Sequence, residues 1–554
     1  MNPLLARVTD LIAFDQIRPE HVAPAIDTLL EKCQAVLNQV TAPEAAITWE
    51  SIVAPLDDAT EQLSRAWGAV SHLNAVADTP ELRAAYNATE PKLTAFWTAL
   101  AQNEALFAKY KALAQLPEFP SWPPARQRVI ENELRDFRLG GAELTAEDKV
   151  RFSQIQERKA ELSTHFSQHV LDAVGAYALY ITDESELAGI PSDTIALYRE
   201  AAQAKGKPGY KITLQYPSYL PLMQYAHKRE LRETLYRAWV TRNSELADAK
   251  WDNSALMTEL LQLRFEQAQL LGLPDYTAYS LERKMASSSD EVLGFLRDLA
   301  QRAKPSAQRD LQEVREFAAK ELGLPQLEAW DLPYASERLR EQRYAYSENE
   351  VKQYFTLPKV LDGLFNVAQR LFGVRIEPDT APAWHPDVRF YRVQSAAGEL
   401  IGQFYLDLYA REHKQGGAWQ DDARSRHRSA QGLHTPVSFL ICNFSRPTRS
   451  NGTTKPAVLT HDDVLTLFHE FGHGLHHMLT RVDELSVSGI HGVEWDAVEL
   501  PSQFMENFAW EWEVVSGLSA HVDTGEPLPR ALYDRLLAGR NFQSGLQMLR
   551  QIEL

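Results

Sequence analysis

The chain has few cysteines, no long apolar run and no excess of basic residues. Only Cys33 and Cys442 occur among 554 residues, and they lack the spacing of a metal motif, which favours a reducing compartment. No apolar run approaches the roughly 18 residues that a membrane-spanning helix needs. The N-terminal segment lacks the basic and apolar regions of a signal peptide. We therefore expect a cytoplasmic protein with no membrane partner.

The charge balance is acidic, with 57 Lys and Arg against 75 Asp and Glu, a net charge of −18. This balance argues against nucleic acid as the main partner. Apolar residues make up 44% and charged residues 24%, as in ordinary globular proteins. The length predicts roughly three or four domain-sized units. The Asn-X-Ser/Thr sequons at Asn443 and Asn451 carry no expected function in a reducing compartment.

The hydrophobic periodicity predicts a mainly α-helical chain with one small β-sheet. Residues 1–200 show apolar spacings of three and four, which indicate successive helices. Alternating patterns predict strands at residues 211–216, 388–393, 400–408 and 437–442, the second and third forming a hairpin. The polar stretch 411–432, which contains Gly416 and Gly417, predicts a mobile loop. The sheet comes just before the segment that carries the chemistry, where a strand edge could bind an extended peptide or could simply pack against helices.

That segment is the H-E-x-x-H sequence formed by residues 469–473. Positions i and i+4 lie on one face of a helix, so His469 and His473 can bind one zinc ion. Glu470 can then act as general base toward water. The helix is expected to begin near Thr460 and to bury an apolar stripe: Val464, Phe468, Phe471, Leu475 and Met478. The alternative is a solvated helix that is rich in histidine.

The third ligand is open on spacing alone. The metzincin pattern is excluded, because its glycine and histidine positions hold His476 and Leu479. Three ligands from one helix would be nearly collinear, so His476 is better suited to support a ligand or contact substrate. A carboxylate from a second helix is the better candidate: Glu494, Asp496, Glu499 or Glu506. Gly472 and Gly474 fit either close approach of that helix or simple tight packing.

Longer motifs resemble those of the thimet-oligopeptidase family. HEFGHGLHHML and SGIHGVEWDAVELPSQFMENF carry the resemblance, which extends to WDNS, WHPDVRF and FYLDLYAREHKQGGAW and so covers essentially the whole chain. It implies a mainly α, two-lobed helical shell around a deep channel, with the small sheet beside the zinc helix. It also implies one Zn²⁺ per chain, held by His469, His473 and Glu499, with Glu470 as the general base.

The resemblance further implies a monomeric zinc endopeptidase that hydrolyses internal bonds of short, unstructured peptides. We divide the chain into an N-terminal helical region, 1–205, and a zinc peptidase region, 206–554. The family pattern continues beyond Leu554, so we expect the last helices of the catalytic region to be missing. The alternative function is therefore a catalytically impaired zinc-binding fragment or scaffold. His491 could assist locally in stabilising an oxyanion, or could be a loop histidine without a catalytic role.

Overall fold

A computed structural model describes residues 2–450 and 453–554, so the Asn451 sequon lies outside the described residues. The protein is 61% helical with a small mixed sheet, which confirms the mainly α prediction. The two-lobed outline stays a prediction. No helix in the described part of the chain is long and apolar enough to cross a bilayer.

Seven α-helices lie in the described residues before 205, as the periodicity predicts. They are α1 (Pro19–Thr41), α2 (Trp49–Val76), α3 (Pro80–Ala101), α4 (Glu104–Ala114), α5 (Pro124–Leu139), α6 (Ala146–Ala176) and α7 (Ser192–Gln203). Side-chain caps define where several of them begin. Thr48, Thr79 and Thr145 each accept a backbone N–H three residues ahead, at 3.2 Å. Such caps satisfy N–H groups that have no partner inside the helix.

Thirteen further helices follow within the described residues. They are α8 (Tyr216–Tyr225), α9 (Arg229–Thr241), α10 (Ser254–Leu270), α11 (Tyr276–Leu281), α12 (Ser289–Glu321), α13 (Leu332–Tyr344), α14 (Glu348–Lys352), α15 (Leu357–Phe372), α16 (His461–Met478), α17 (Leu500–Glu506), α18 (Trp512–Gly517), α19 (Arg530–Ala538) and α20 (Ser544–Glu553).

The strands of the described residues are short, and five of them form the main sheet. They are β1 (Leu179–Ile181), β2 (Tyr210–Ile212), β3 (Arg375–Asp379), β4 (Arg389–Gln394), β5 (Leu400–Tyr409), β6 (Trp419–Arg424), β7 (His427–Ser429), β8 (Gly432–His434), β9 (Val437–Phe444), β10 (Thr448–Ser450) and β11 (Thr453–Lys455). The main sheet has the order β3-β4-β5-β9-β6, in which β5 and β9 are parallel and the other pairs are antiparallel. The predicted β4–β5 hairpin and the β9 strand are confirmed.

Both faces of this sheet are buried, which explains the nearly continuous apolar run of β9. Tyr405 and Phe439 pack into a core shared with α1 and α2. Phe404 and Leu440 point the other way, into the core formed with α15 and α16. The sheet therefore connects the N-terminal helices to the helix that carries the H-E-x-x-H motif.

The strand predicted at 211–216 is mostly wrong. β2 spans only Tyr210–Ile212, where it pairs with β1, and α8 begins at Tyr216. Pro217 occupies the first turn of α8, where a missing N–H costs nothing. An alternating pattern of only six residues was too short to distinguish a strand from the turn before a helix.

The mobile loop predicted at 411–432 is also wrong. The segment contains β6 and β7, and the side chains of Arg411, Lys414 and Arg424 are buried. Arg411 and Lys414 bind the carboxylate of Asp407 on β5, whereas Arg424 donates to the carbonyls of Thr435 and of two residues near the N-terminus. Local composition indicated solvated charges because it cannot reveal partners that are distant in the sequence.

Candidate metal centre

The motif lies on α16, whose beginning agrees with the prediction. Thr460 Oγ1 accepts the N–H of Asp463 at 3.0 Å, and the Asp463 carboxylate accepts the N–H of Thr460 at 2.9 Å. All five residues of the predicted apolar stripe are buried. This stripe anchors the helix against the sheet and leaves the histidine face directed toward α17.

Two imidazoles and one carboxylate converge beside this helix. His469 Nε2 and His473 Nε2 each lie 3.1 Å from the same atom, Glu499 Oε2. One ligand atom from each of these three residues lies within 4.8 Å of the others. The structure thus brings together the two motif histidines and the carboxylate that the family resemblance implies.

Glu499 reaches the histidines because α16 and α17 pack without a side chain between them. A Cβ on Gly472 would lie 2.6 Å from the carbonyl oxygen of Pro501, so only glycine allows this approach. Gly474 serves a different contact, since its Cβ would lie 2.9 Å from Leu440 of β9. Close approach of the second helix therefore explains Gly472, and tight packing explains Gly474. Ser502 Oγ donates to Glu499 Oε2 at 2.8 Å and orients the carboxylate.

The four carboxylates that spacing left open have four different partners. Glu499 faces the two Nε2 atoms, and Glu506 accepts a 2.7 Å hydrogen bond from His469 Nδ1. Glu494 pairs with the guanidinium of Arg128 on α5. Asp496 accepts backbone N–H groups from the turn before α12. Of these four, the contacts favour only Glu499 as a third ligand.

The geometry fits a zinc ion. Two ligands about 2.1 Å from a tetrahedral ion lie about 3.4 Å apart, close to the separations seen here. Two imidazoles and one glutamate are a common set in catalytic zinc sites, which keep one position open. The bond from His469 Nδ1 to Glu506 leaves Nε2 free to coordinate and orients the ring. His473 Nδ1 has no hydrogen-bond partner in the described structure.

Glu470 lies beside this group and is 5% exposed. Burial raises the pKa of its carboxyl to about 7, and the charge of Glu499 acts in the same direction, while His469 opposes both. Within the described chain, no side chain donates a hydrogen bond to this carboxylate. Glu470 is thus available to exchange a proton near neutral pH.

A cavity of about 680 Å³ continues from the end of α16. It is lined by Gln127, Arg128, Glu131, His476, His491 and Glu494, among others. Burial lowers the pKa of His476, so this imidazole is neutral. Burial also opposes protonation of His491, but its hydrogen bond to Asp422 outweighs this effect and raises its pKa.

Two other histidines of α16 have structural roles. His461 Nε2 donates to the carbonyl of Ala509, and His477 Nε2 donates to that of Arg424. Both rings are buried. The histidine content of this helix therefore reflects structural hydrogen bonds as well as the candidate metal centre.

Comparison with known proteins agrees with this geometry. The pattern of Peptidase family M3 matches residues 222–554, and that of the Neurolysin/Thimet oligopeptidase N-terminal domain matches residues 26–149. The chain belongs to peptidase family M3. This M3 protein is accordingly a metallopeptidase, and the resemblance seen in its motifs is confirmed.

Named relatives of this M3 peptidase cover its whole length. Oligopeptidase A of Salmonella typhimurium is 47% identical, across 100% of this chain and 81% of the relative. Oligopeptidase A of Escherichia coli is 46% identical with the same coverage. A solved structure described as an oligoendopeptidase F of Bacillus anthracis shares the fold, with a TM-score of 0.54 and 14% identity over 94% of this chain and 75% of that one.

Proposed function

We propose that this M3 peptidase is a zinc-dependent oligopeptidase that hydrolyses internal bonds of short, unstructured peptides. The observation that carries the proposal is the convergence of His469 Nε2 and His473 Nε2 on one oxygen of Glu499, beside the buried Glu470. In this proposal the three convergent residues are the ligands of one Zn²⁺, and Glu470 is the catalytic base. The names of its relatives support an oligopeptidase.

The proposed roles follow from what each side chain can do. A zinc ion held by the three ligands would lower the pKa of water and polarise the scissile carbonyl. Glu470 accepts the proton of the attacking water and delivers it to the leaving nitrogen, for which a pKa of about 7 is suitable. Glu506 keeps the ring of His469 in place through Nδ1.

We propose that substrate lies along the cavity beside His476 and His491. β6 is the edge strand on this side of the sheet, and its Asp422 already binds His491. A free strand edge can pair with an extended peptide through its main chain, which suits a substrate without structure of its own.

The remaining parts of the proposal concern organisation. We propose the division into 1–205 and 206–554, a monomer, and the cytoplasm as the compartment. Both cysteines are buried and free, which suits reducing conditions. The two matched family segments, 26–149 and 222–554, fall on either side of the proposed boundary.

The decisive experiment is Glu470→Gln, measured for both zinc content and cleavage of an internally quenched short peptide. We expect stoichiometric zinc in wild type and variant, with cleavage lowered by about 10²- to 10⁴-fold, because general base catalysis contributes on that order. Glu147→Gln, an exposed glutamate on α6, is the matched control and should cleave normally.

Retained cleavage in Glu470→Gln would exclude the proposed base. A wild-type protein that holds zinc but cleaves no short peptide would favour the zinc-binding scaffold. The absence of stoichiometric metal from wild type would refute the metal site itself.

A further inference from the structure

Residues 479–498 connect α16 to α17, and we call this segment the connector. Its acidic residues bind parts of the chain that are distant in the sequence. Glu484 and Glu494 pair with two arginines of α5. Asp496 binds the turn between α11 and α12, residues 282–288. The connector is thus held from two sides before it reaches Glu499.

The contact of Asp496 is specific for a carboxylate. Its Oδ1 accepts the N–H of Met285 at 2.9 Å, and its Oδ2 accepts the N–H of Ala286 at 2.9 Å. Two successive backbone N–H groups directed at one carboxylate form a small anion site. These hydrogen bonds lower the pKa of Asp496. The carboxylate is therefore ionised at neutral pH.

Hydrogen-bonded backbone turns connect Asp496 directly to Glu499. Ala497 N–H donates to the carbonyl of Glu494 at 2.9 Å, and Leu500 N–H donates to that of Ala497 at 3.2 Å. Val498, between them, is buried. These successive turns leave little freedom between Asp496 and α17. The Glu499 side chain is 51% exposed, so its place depends on this backbone more than on packing around it.

The turn 282–288 also contacts α5, the helix that pairs with Glu484 and Glu494. Arg283 Nε donates to Asp136 of α5 at 2.9 Å. Glu291 accepts the N–H of Ser287 at 2.8 Å, which defines the end of the turn. If α5 or this turn moved, the connector would move as well, because Asp496 binds the turn.

We propose that Asp496 is a positioning residue, which places Glu499 for metal binding by holding the N–H groups of Met285 and Ala286. The inference rests on the metal site proposed above. Because coupling between two sites is reciprocal, metal binding should stabilise the turn 282–288 by the same factor that the turn contributes to metal affinity. The turn, although it supplies no ligand, thereby becomes part of the metal site.

The test uses the whole chain and two readouts other than peptide cleavage. The first is hydrogen exchange of peptides that cover residues 282–288, with and without zinc. We expect zinc to slow exchange of the Met285 and Ala286 amides in wild type. This measurement needs no variant and is independent of any folding defect.

The second readout is the zinc Kd, measured by competition with a chelator. We expect Asp496→Ala to weaken binding about tenfold, as for residues that orient ligands, and to abolish the zinc-dependent protection of the turn. Asp496→Asn retains one carbonyl oxygen, so its zinc Kd should lie between those of wild type and Asp496→Ala. Asp290→Ala, which removes an exposed carboxylate from the first turn of α12, should match wild type.

Equal Kd values for wild type and Asp496→Ala, or exchange in the turn that does not respond to zinc, would overturn this inference and leave the metal site intact. Absence of zinc binding by wild type would instead refute the proposed function. The two failures are therefore distinguishable.

Discussion

Asp407 and Glu470 are both buried carboxylates, but their surroundings differ in kind. Asp407, at the end of β5, accepts hydrogen bonds from Trp384 at 2.8 Å, from both Nη atoms of Arg411 at 2.6 and 2.7 Å, and from Lys414 at 2.8 Å. Burial alone would raise its pKa, but these partners lower it to about 2. Every acceptor position of this carboxylate is used.

Glu470 has no such set of partners, and its pKa moves in the opposite direction, to about 7. Its nearest charged neighbours are the proposed metal ligands His469 and Glu499. The protein supplies cationic hydrogen-bond donors to the carboxylate of Asp407, whereas the carboxylate of Glu470 has no such donors among the described residues. The difference separates a carboxylate that stabilises the fold from one that is available to a substrate.

The largest expected effect is on stability, through Asp407→Asn. The substitution leaves the cations of Arg411 and Lys414 buried without their counter-ion, which should cost about 3–5 kcal/mol of unfolding free energy. Urea denaturation of the metal-free protein measures this loss. The double variant Asp407→Asn/Lys414→Met should recover part of it, because one of the unpaired cations is removed.

The matched control for that comparison is Glu499→Ala in metal-free protein. Its half-exposed carboxylate should change stability by no more than about 0.5 kcal/mol. If Asp407→Asn proved as harmless as Glu499→Ala, the distinction between carboxylates that stabilise the fold and carboxylates that serve the site would fail.

A smaller effect is expected at Glu61, a third buried carboxylate. Burial raises its pKa to about 7, and its strongest charged neighbour is another acid, Asp422. Between pH about 4.3, the unfolded pKa, and about 7, the folded chain keeps a proton that the unfolded chain releases. Stability should therefore fall as pH rises through this window and then level off.

Glu61→Gln removes this titration. It should raise the unfolding free energy at pH 8 by about 3 kcal/mol relative to wild type and leave it nearly unchanged at pH 4. Denaturation curves at the two pH values measure the difference. An identical pH dependence in wild type and variant would show that Glu61 is ionised throughout this range.

The smallest expected effect is that of Glu506→Gln on metal affinity. The amide oxygen can still accept from His469 Nδ1, but the negative charge is lost, so the zinc Kd should rise about tenfold. Stability without metal should not change. Glu513→Gln, an exposed glutamate on α18, is the control for charge alone. Equal Kd values for Glu506→Gln and its control would mean that Glu506 does not support the site.

Part of the site was predictable from the sequence because it depends on local geometry. The cap at Thr460, the apolar stripe of α16 and the shared face of His469 and His473 all follow from helical spacing. Helical spacing did not determine which of the four carboxylates meets the two histidines. Glu494 is occupied by Arg128, which lies 366 residues away, and no local pattern reveals that contact.

The prediction of a mobile loop at 411–432 failed for the same reason. Its charges resemble those of a solvated loop, yet Lys414 has a side chain with no exposed surface because Asp407 and three carbonyls surround it. Whether a charge is solvated or paired depends on residues brought together by the fold. Composition over a short window does not contain that information.

By itself, the sequence determined a helix that offers two imidazoles and a base on one face, since a period of 3.6 residues makes i and i+4 neighbours in any helix. Only the tertiary structure decided which carboxylate meets them. The approach of α17 at Gly472 brings Glu499 to the two Nε2 atoms, while long-range partners occupy Glu494 and Asp496. Helical neighbours are fixed by bond geometry, whereas contacts between distant segments depend on how the whole chain packs.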